Sequence, residues 1–180
     1  MLKKNKTLVL CLCALFAALC GALSQLAIPL GQVPITLTHV AIFLAAGLLG
    51  RRYATLSVAA FVAMGAIGLP VFAGFSGGMG IIAGPTGGFI FGYIACAWIS
   101  GLLMARTTAA WHMVLAMVCG MAVTYLPGVL WFVHVMEGYT FTGGLAVCVV
   151  PYLPGDAAKM LLCALLIPRL RPVVQRGVLL

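Results

Sequence analysis

Apolar residues run along this chain in long, nearly unbroken stretches, and the polar, glycine and proline positions gather in short breaks between them. Such stretches have no polar face to turn toward water, so the pattern predicts helices surrounded by lipid rather than amphipathic helices on a soluble core. Spans are predicted at about 7–30, 35–50, 53–69, 85–104, 109–134 and 155–168. The breaks carry turn chemistry. They are Gly31-Gln32-Val33-Pro34, then Arg51-Arg52, then the glycine loop Ala73-Gly74-Phe75-Ser76-Gly77-Gly78-Met79-Gly80, then Arg106, and last Glu137-Gly138-Tyr139. Pro85 sits where a first helical turn tolerates it. Pro154-Gly155-Asp156 opens the last helix, and Pro168 is expected to stop it.

Composition supports the same reading. Of 180 residues 64% are hydrophobic and 7% charged, whereas soluble domains carry roughly 25% charged residues. A soluble domain is excluded, and a single membrane domain over residues 1–180 is expected. The net charge of +8 would suggest nucleic acid in a soluble chain. Here the basic residues stand at the ends of apolar runs, where they act as topology signals. With Lys3, Lys4 and Lys6 in the cytoplasm and six spans, Arg51, Arg52, Arg106, Arg169, Arg171 and Arg176 also fall inside, and Lys159 is the exception. Counting residues 143–150 as another span would throw the tail arginines outside, and the piece is too short to cross. The segment at about 139–153 is therefore expected to be re-entrant or to lie on the outer surface. The expected fold is an all-α integral membrane protein, a six-transmembrane-helix bundle with both termini cytoplasmic. Lys3-Lys4-Asn5-Lys6 before an apolar run imitates a secretory signal. The run is too long for one, and Leu19 before Cys20 makes a poor lipoprotein cleavage site, so we expect it to remain as the first span.

Several function classes drop out. Loops this short leave no room for a fused ATPase, and no G-x-x-x-x-G-K-[ST] loop occurs, so any powered transport draws its energy from a partner. Only two acidic residues are present, without H-E-x-x-H or G-x-S-x-G, so no catalytic residue is assigned and an enzyme is not expected. The seven cysteines are scattered through apolar runs and read as small buried hydrophobes. His39, His112 and His134 lie far apart in the topology, so no metal site is expected. Trp98, Trp111 and Trp131 fall toward span ends and read as interface anchors.

The informative polar residues collect on the outer side, at 32–39, 74–80, 137–142 and 151–159. Asp156 and Lys159 share a helix face at i and i+3, and ionisable residues at membrane depth mark a functional site by default. A purely structural ion pair at a helix start, with Asp156 favoured by the helix dipole, is the plainer alternative. A fitting ligand has an anionic end for Lys159, a hydrogen-bond donor for Asp156 and an apolar body. Nucleotides need more cations than these loops supply, and sugars more polar side chains. The runs Ser76-Gly77-Gly78-Met79-Gly80 and Gly84-Pro85-Thr86-Gly87-Gly88 offer close backbone approach, although glycine also serves helix packing. Phe72, Phe75, Phe89, Phe91, Tyr93 and Tyr152 are candidates for pocket walls. On the first helix Ala14, Ala18 and Ala22 form a small-residue face, suited to packing within the chain or to docking on a second membrane protein.

Four segments resemble one family in order and spacing. Val33-Pro34-Ile35-Thr36-Leu37-Thr38, Gly68-Leu69-Pro70-Val71-Phe72, Gly84-Pro85-Thr86-Gly87-Gly88-Phe89 and Pro154-Gly155-Asp156-Ala157-Ala158-Lys159 are similar to the BioY family, the biotin-binding S components of energy-coupling factor transporters. The resemblance implies a six-helix bundle in the cytoplasmic membrane of a prokaryote, with biotin held between outer loops and helix ends. It also implies a transmembrane coupling protein, two cytoplasmic ATPase subunits that use the ATP, and docking through Ala14, Ala18 and Ala22. No cofactor is expected in this chain. Biotin's carboxylate would suit Lys159 and its urea N–H donors Asp156, with Thr36, Ser76, Gly77, Thr86, Phe72 and Tyr152 around it. The family's first loop commonly reads T-L-Q-T, where this chain has Thr36-Leu37-Thr38-His39, so any contact through that glutamine is absent. An S component for another vitamin and a solitary facilitator or channel remain as alternatives. Cationic thiamine would be repelled by Lys159, and the facilitator lacks a continuous polar lining through the inner half.

Overall fold

The computed structural model describes residues 6–28, 33–105 and 109–179, with side chains as far as residue 174. Lys3, Lys4, Arg106, the turn residues 29–32 and the side chain of Arg176 lie outside the described residues. The chain is almost entirely helical: α1 (Lys6–Gln25), α2 (Thr38–Ala66), α3 (Met79–Ala83), α4 (Gly87–Met104), α5 (Ala110–Val135), α6 (Phe141–Cys148) and α7 (Leu153–Leu179). Two short strands, β1 (Ala27–Ile28) and β2 (Ile35–Thr36), pair antiparallel between α1 and α2 and align Ala27 with Thr36.

The assigned helix α2 contains a break. At Gly50 the backbone has φ 76 and ψ 172, a conformation that only glycine adopts without strain. Straight helix from Thr38 to Phe61 would hold them roughly 35 Å apart, yet both line one small cavity. The chain therefore folds back at Gly50 into two arms, and the reversal falls beside the Arg51-Arg52 pair that the hydropathy pattern marks as a break.

The helices pack as a bundle, α4 against α5 and α2, α1 against α2, and α7 against α2 and α5. Phe43, Phe61, Met104, Met113, Met117 and Ile167 are almost fully buried at its centre. Close approach uses small residues: a Cβ at Gly92 would lie 2.9 Å from Thr124 Cα, so α4 and α5 meet at van der Waals distance there. Buried hydroxyls are satisfied internally, as in Ser57 to the Tyr53 carbonyl at 2.8 Å and Thr124 to the Gly120 carbonyl at 3.2 Å. The outward faces are apolar instead of polar, with Leu15, Leu56, Phe91, Leu115, Leu130 and Leu161 all exposed. An exposed apolar belt of this extent marks a lipid-facing surface. By length and composition, α1, α4 and α5 can each cross a membrane.

One segment differs from the sequence expectation. The last helix does not stop at Pro168 but continues through Pro168 and Pro172 to Leu179. Both prolines are on the exposed side of the helix. Arg171 binds the carbonyls of Gly47 and Met104, each at 3.0 Å, which ties the extension to the end of the bundle. The piece after Tyr139 forms the short helix α6, whose Thr140 cap accepts from the Gly143 N–H at 3.2 Å. It packs on α5 and leads through a 3-10 turn, Val150–Tyr152, into α7.

Gly50→Ala is expected to destabilise the protein by about 1–3 kcal/mol, the cost of a side chain in that backbone conformation. A lower thermal midpoint in detergent is the readout. Gly80→Ala, which has open space around its Cβ, should leave the midpoint unchanged.

Candidate ligand-binding site

The irregular backbone gathers at one end of the bundle and encloses two adjoining cavities. The larger, about 210 Å³, has Thr36, Thr38, Phe61, Phe72, Ser76 and Thr86 among its lining residues. Thr36 is delivered by the β1–β2 ribbon and Thr38 by the first turn of α2. Phe72 and Ser76 belong to the loop after α2, which is closed on itself by Phe72 N–H to the Ser76 carbonyl at 3.0 Å and Ser76 N–H to the Phe72 carbonyl at 3.3 Å. Gln25 at the end of α1 holds that loop. Its side-chain amide donates to the carbonyls of Pro70 at 3.3 Å and Phe72 at 3.1 Å, and its oxygen accepts from Phe75 N–H at 2.8 Å. Ser24 adds a hydrogen bond to the Val71 carbonyl. The Phe72 ring then meets Phe61 edge-on, with centroids 5.6 Å apart.

The smaller cavity, about 40 Å³, shares Val33, Pro34, Thr36, Phe89 and Tyr93 with the larger and continues it toward α5 and α7. Asp156 and Lys159 lie on its wall with Tyr125, Tyr152 and His39. Lys159 Nζ donates to Asp156 Oδ1 at 2.9 Å, and the Tyr125 hydroxyl donates to Asp156 Oδ2. Asp156 is 4% exposed and Lys159 7%. The helical spacing that suggests the pair in the sequence is thus realised as a buried ion pair. Desolvating two charges costs several kcal/mol per ion, so such a pair is weak support for stability. Its value in a bundle otherwise nearly free of charge is a fixed donor beside a fixed acceptor. Tyr152 donates its hydroxyl to the Val33 carbonyl and ties the 3-10 turn to the ribbon. Burial pushes that hydroxyl up to about 12, so it stays a donor at any physiological pH.

Of the residues singled out in the sequence, Asp156, Lys159, Thr36 and Tyr152 meet at the smaller cavity, and Thr36, Phe72, Ser76 and Thr86 at the larger. Gly77 is on the wall of neither. It lies against the Leu69 backbone carbonyl, where no Cβ fits, so its part is to let the loop close. Ala14, Ala18 and Ala22 are exposed on α1 and are not consumed by packing inside the chain. Ala18 and Ala22 border a groove of about 350 Å³ with Gly21, Met64, Pro70 and Val71. Trp131, expected at a lipid interface, instead donates its indole N–H to the Gly84 carbonyl at 3.0 Å and braces the start of α4. Trp98 and Trp111 are exposed. Sequence reasoning missed Tyr125, Gln25 and Ser24. A tyrosine in the middle of an apolar helix was the available signal, since its hydroxyl needs a partner once buried.

A lipid-facing helical bundle with a loop-covered, mostly apolar cavity and one buried charge pair defines a membrane protein that binds a small, partly polar molecule. The BioY family model matches residues 1–176, and the chain belongs to that family. Similar proteins include "Biotin transporter BioY" of Thermotoga maritima, 40% identical over 158 residues that cover 87% of this chain and 92% of the relative. Another is "Biotin transporter BioY" of Rhodobacter capsulatus, 37% identical over 177 residues and covering 91% of each. The fold matches the crystal structure of the S-component for biotin from an ECF-type ABC transporter, with a TM-score of 0.85 and 30% identity over 93% of each chain.

Tyr125→Phe leaves Asp156 Oδ2 without its donor. A stability loss of about 1–3 kcal/mol is expected, seen as a lower thermal midpoint of the ligand-free protein in detergent.

Proposed function

We propose that this protein captures biotin and takes it up across the cytoplasmic membrane as the substrate-binding S component of an energy-coupling factor transporter. The observation that carries the reading is the buried Asp156–Lys159 pair on the wall of the smaller of two adjoining, loop-covered cavities, in a chain whose relatives are named biotin transporters. α1, the two arms of α2, α4, α5 and α7 would make six crossings with both termini in the cytoplasm, which accords with the positive-inside pattern of the arginines. A coupling membrane protein and two ATPase subunits would supply the power stroke. The exposed Ala14, Ala18 and Ala22 face of α1 would dock on the coupling protein.

The pair's geometry refines how the ligand would lie. Lys159 and Asp156 are joined at 2.9 Å, which favours their meeting one end of an extended ligand together over dividing biotin's two ends between them, the arrangement the sequence alone suggests. The cyclic urea is the better match, because its carbonyl accepts where Lys159 donates and its N–H groups donate where Asp156 accepts. A carboxylate at the same place would also face Asp156. The fused rings and the aliphatic chain would then fill the larger cavity among Phe72, Thr36, Ser76 and Thr86, with the carboxylate toward the loops. No residue is given a catalytic role.

Titration calorimetry of the purified protein with biotin, no other subunit present, tests the proposal. One-to-one binding is expected, and a folded protein that ignores biotin would overturn it. In the same assay Lys159→Ala should weaken biotin and biotin methyl ester by the same factor, about 10-fold or more for a lost charged hydrogen bond. A loss confined to the free acid would return the carboxylate to Lys159. Ala18→Leu should leave biotin binding intact and abolish ATP-driven uptake in cells that supply the coupling module. Normal uptake would remove the α1 face from the docking surface.

A further inference from the structure

The wall of the smaller cavity includes a residue, His39, with a buried polar atom that nothing among the described residues satisfies. His39 is 8% exposed, and its Nε2 is fully buried without a hydrogen-bond partner among the described residues. Its ring is held on two sides, edge-on to Tyr93 with centroids 5.0 Å apart and tilted against Phe43 at 5.9 Å. The side chain therefore cannot swing out to find a partner. It stands on the same cavity wall as Asp156 and Lys159, the two charged groups that act on it electrostatically. By contrast, Asp156 is engaged by Lys159 and Tyr125, Ser24 by two carbonyls, and Tyr152 by the Val33 carbonyl.

An unsatisfied buried nitrogen costs roughly 1–3 kcal/mol, and such groups persist where a ligand completes them. We propose that His39 is a ligand-contact and specificity residue, whose Nε2 forms a hydrogen bond with the same polar head group that meets Asp156 and Lys159. This rests on the biotin reading above, under which the head group is the cyclic urea. A urea offers one carbonyl oxygen and two N–H groups. Lys159, which keeps donors beyond the one given to Asp156, faces the oxygen and Asp156 faces one N–H, which leaves a second N–H for a neutral imidazole nitrogen to accept. His39 then raises the selectivity for a complete cyclic urea over a head group with one N–H fewer, because the unmatched nitrogen would again be buried alone.

The test is titration of biotin and biotin methyl ester against His39→Phe, His39→Gln and His39→Asn, with the thermal midpoint of each ligand-free variant measured alongside. Phe keeps the ring contacts with Tyr93 and Phe43. Gln places an amide atom near the position of Nε2, and Asn near that of Nδ1. His39→Phe should lose affinity for both ligands alike, by about 10- to 100-fold, with an unchanged or higher ligand-free midpoint because the orphaned atom is gone. His39→Gln should recover most of the loss and His39→Asn little. Undiminished binding by a folded His39→Phe protein overturns the contact and leaves the biotin reading standing. Affinity losses that follow lowered midpoints across the three variants, or equal recovery by Gln and Asn, overturn it in favour of a packing role. Failure of the unsubstituted protein to bind biotin overturns both readings together.

Discussion

Inside hydrocarbon no water is present to satisfy a backbone amide, so every N–H and carbonyl must find its partner within the chain. Helices meet that requirement locally, and irregular backbone is confined to where protein or polar solvent can complete it. The architecture follows from this. The bundle is helical through its middle, and the short ribbon, the loop after α2 and the 3-10 turn before α7 are gathered at one end. Loops can bend around a small molecule where helices cannot, so the constraint that forces the bundle also leaves the candidate site at its end. Gln25, Ser24 and Tyr152 are the side chains that satisfy that loop backbone and hold it over the cavities.

Against this apolar background two charges are costly, and the structure places them so that each offsets the other. Asp156 and Lys159 neutralise one another, Tyr125 donates to the other carboxylate oxygen, and the group as a whole still presents donors and acceptor lone pairs without net charge. An arrangement of that kind favours a neutral ligand group with adjacent donor and acceptor over a simple anion. The environment and the i, i+3 spacing are both needed for this. The spacing makes the pair, and burial makes it selective, since an unmatched ligand atom would stay unpaired in a low-dielectric wall.

The exposed alanine face of α1 and the held loop are structurally close. Ala18 and Ala22 share a groove with Pro70 and Val71, which open the loop that carries Phe72 and Ser76. Gln25 and Ser24, at the end of the same helix, are the residues that bond to it. Helix α1 therefore presents its small-residue face outward and its polar end to the lining of the cavity, so the two surfaces are connected through one rigid element.

What the sequence determined by itself is whatever depends on neighbours along the chain. The apolar runs dictated helices with lipid-facing surfaces, the glycine and proline breaks located the loops, and the spacing of Asp156 and Lys159 put them on one face. The alternation of small residues in α1 was legible for the same reason. Tertiary structure decided whatever depends on distance between segments far apart in the chain. α7 outlasts Pro168 because Arg171 finds carbonyls on α2 and α4. Tyr125 becomes part of the site because α5 lies beside α7, and Gly77 leaves it because its loop closes on Leu69. Tyr93 and Phe43 hold the His39 ring where its Nε2 finds no partner among the described residues. Local periodicity and hydropathy act over a few residues and can be read from the chain. Which buried polar atoms find partners is set only when the helices come together.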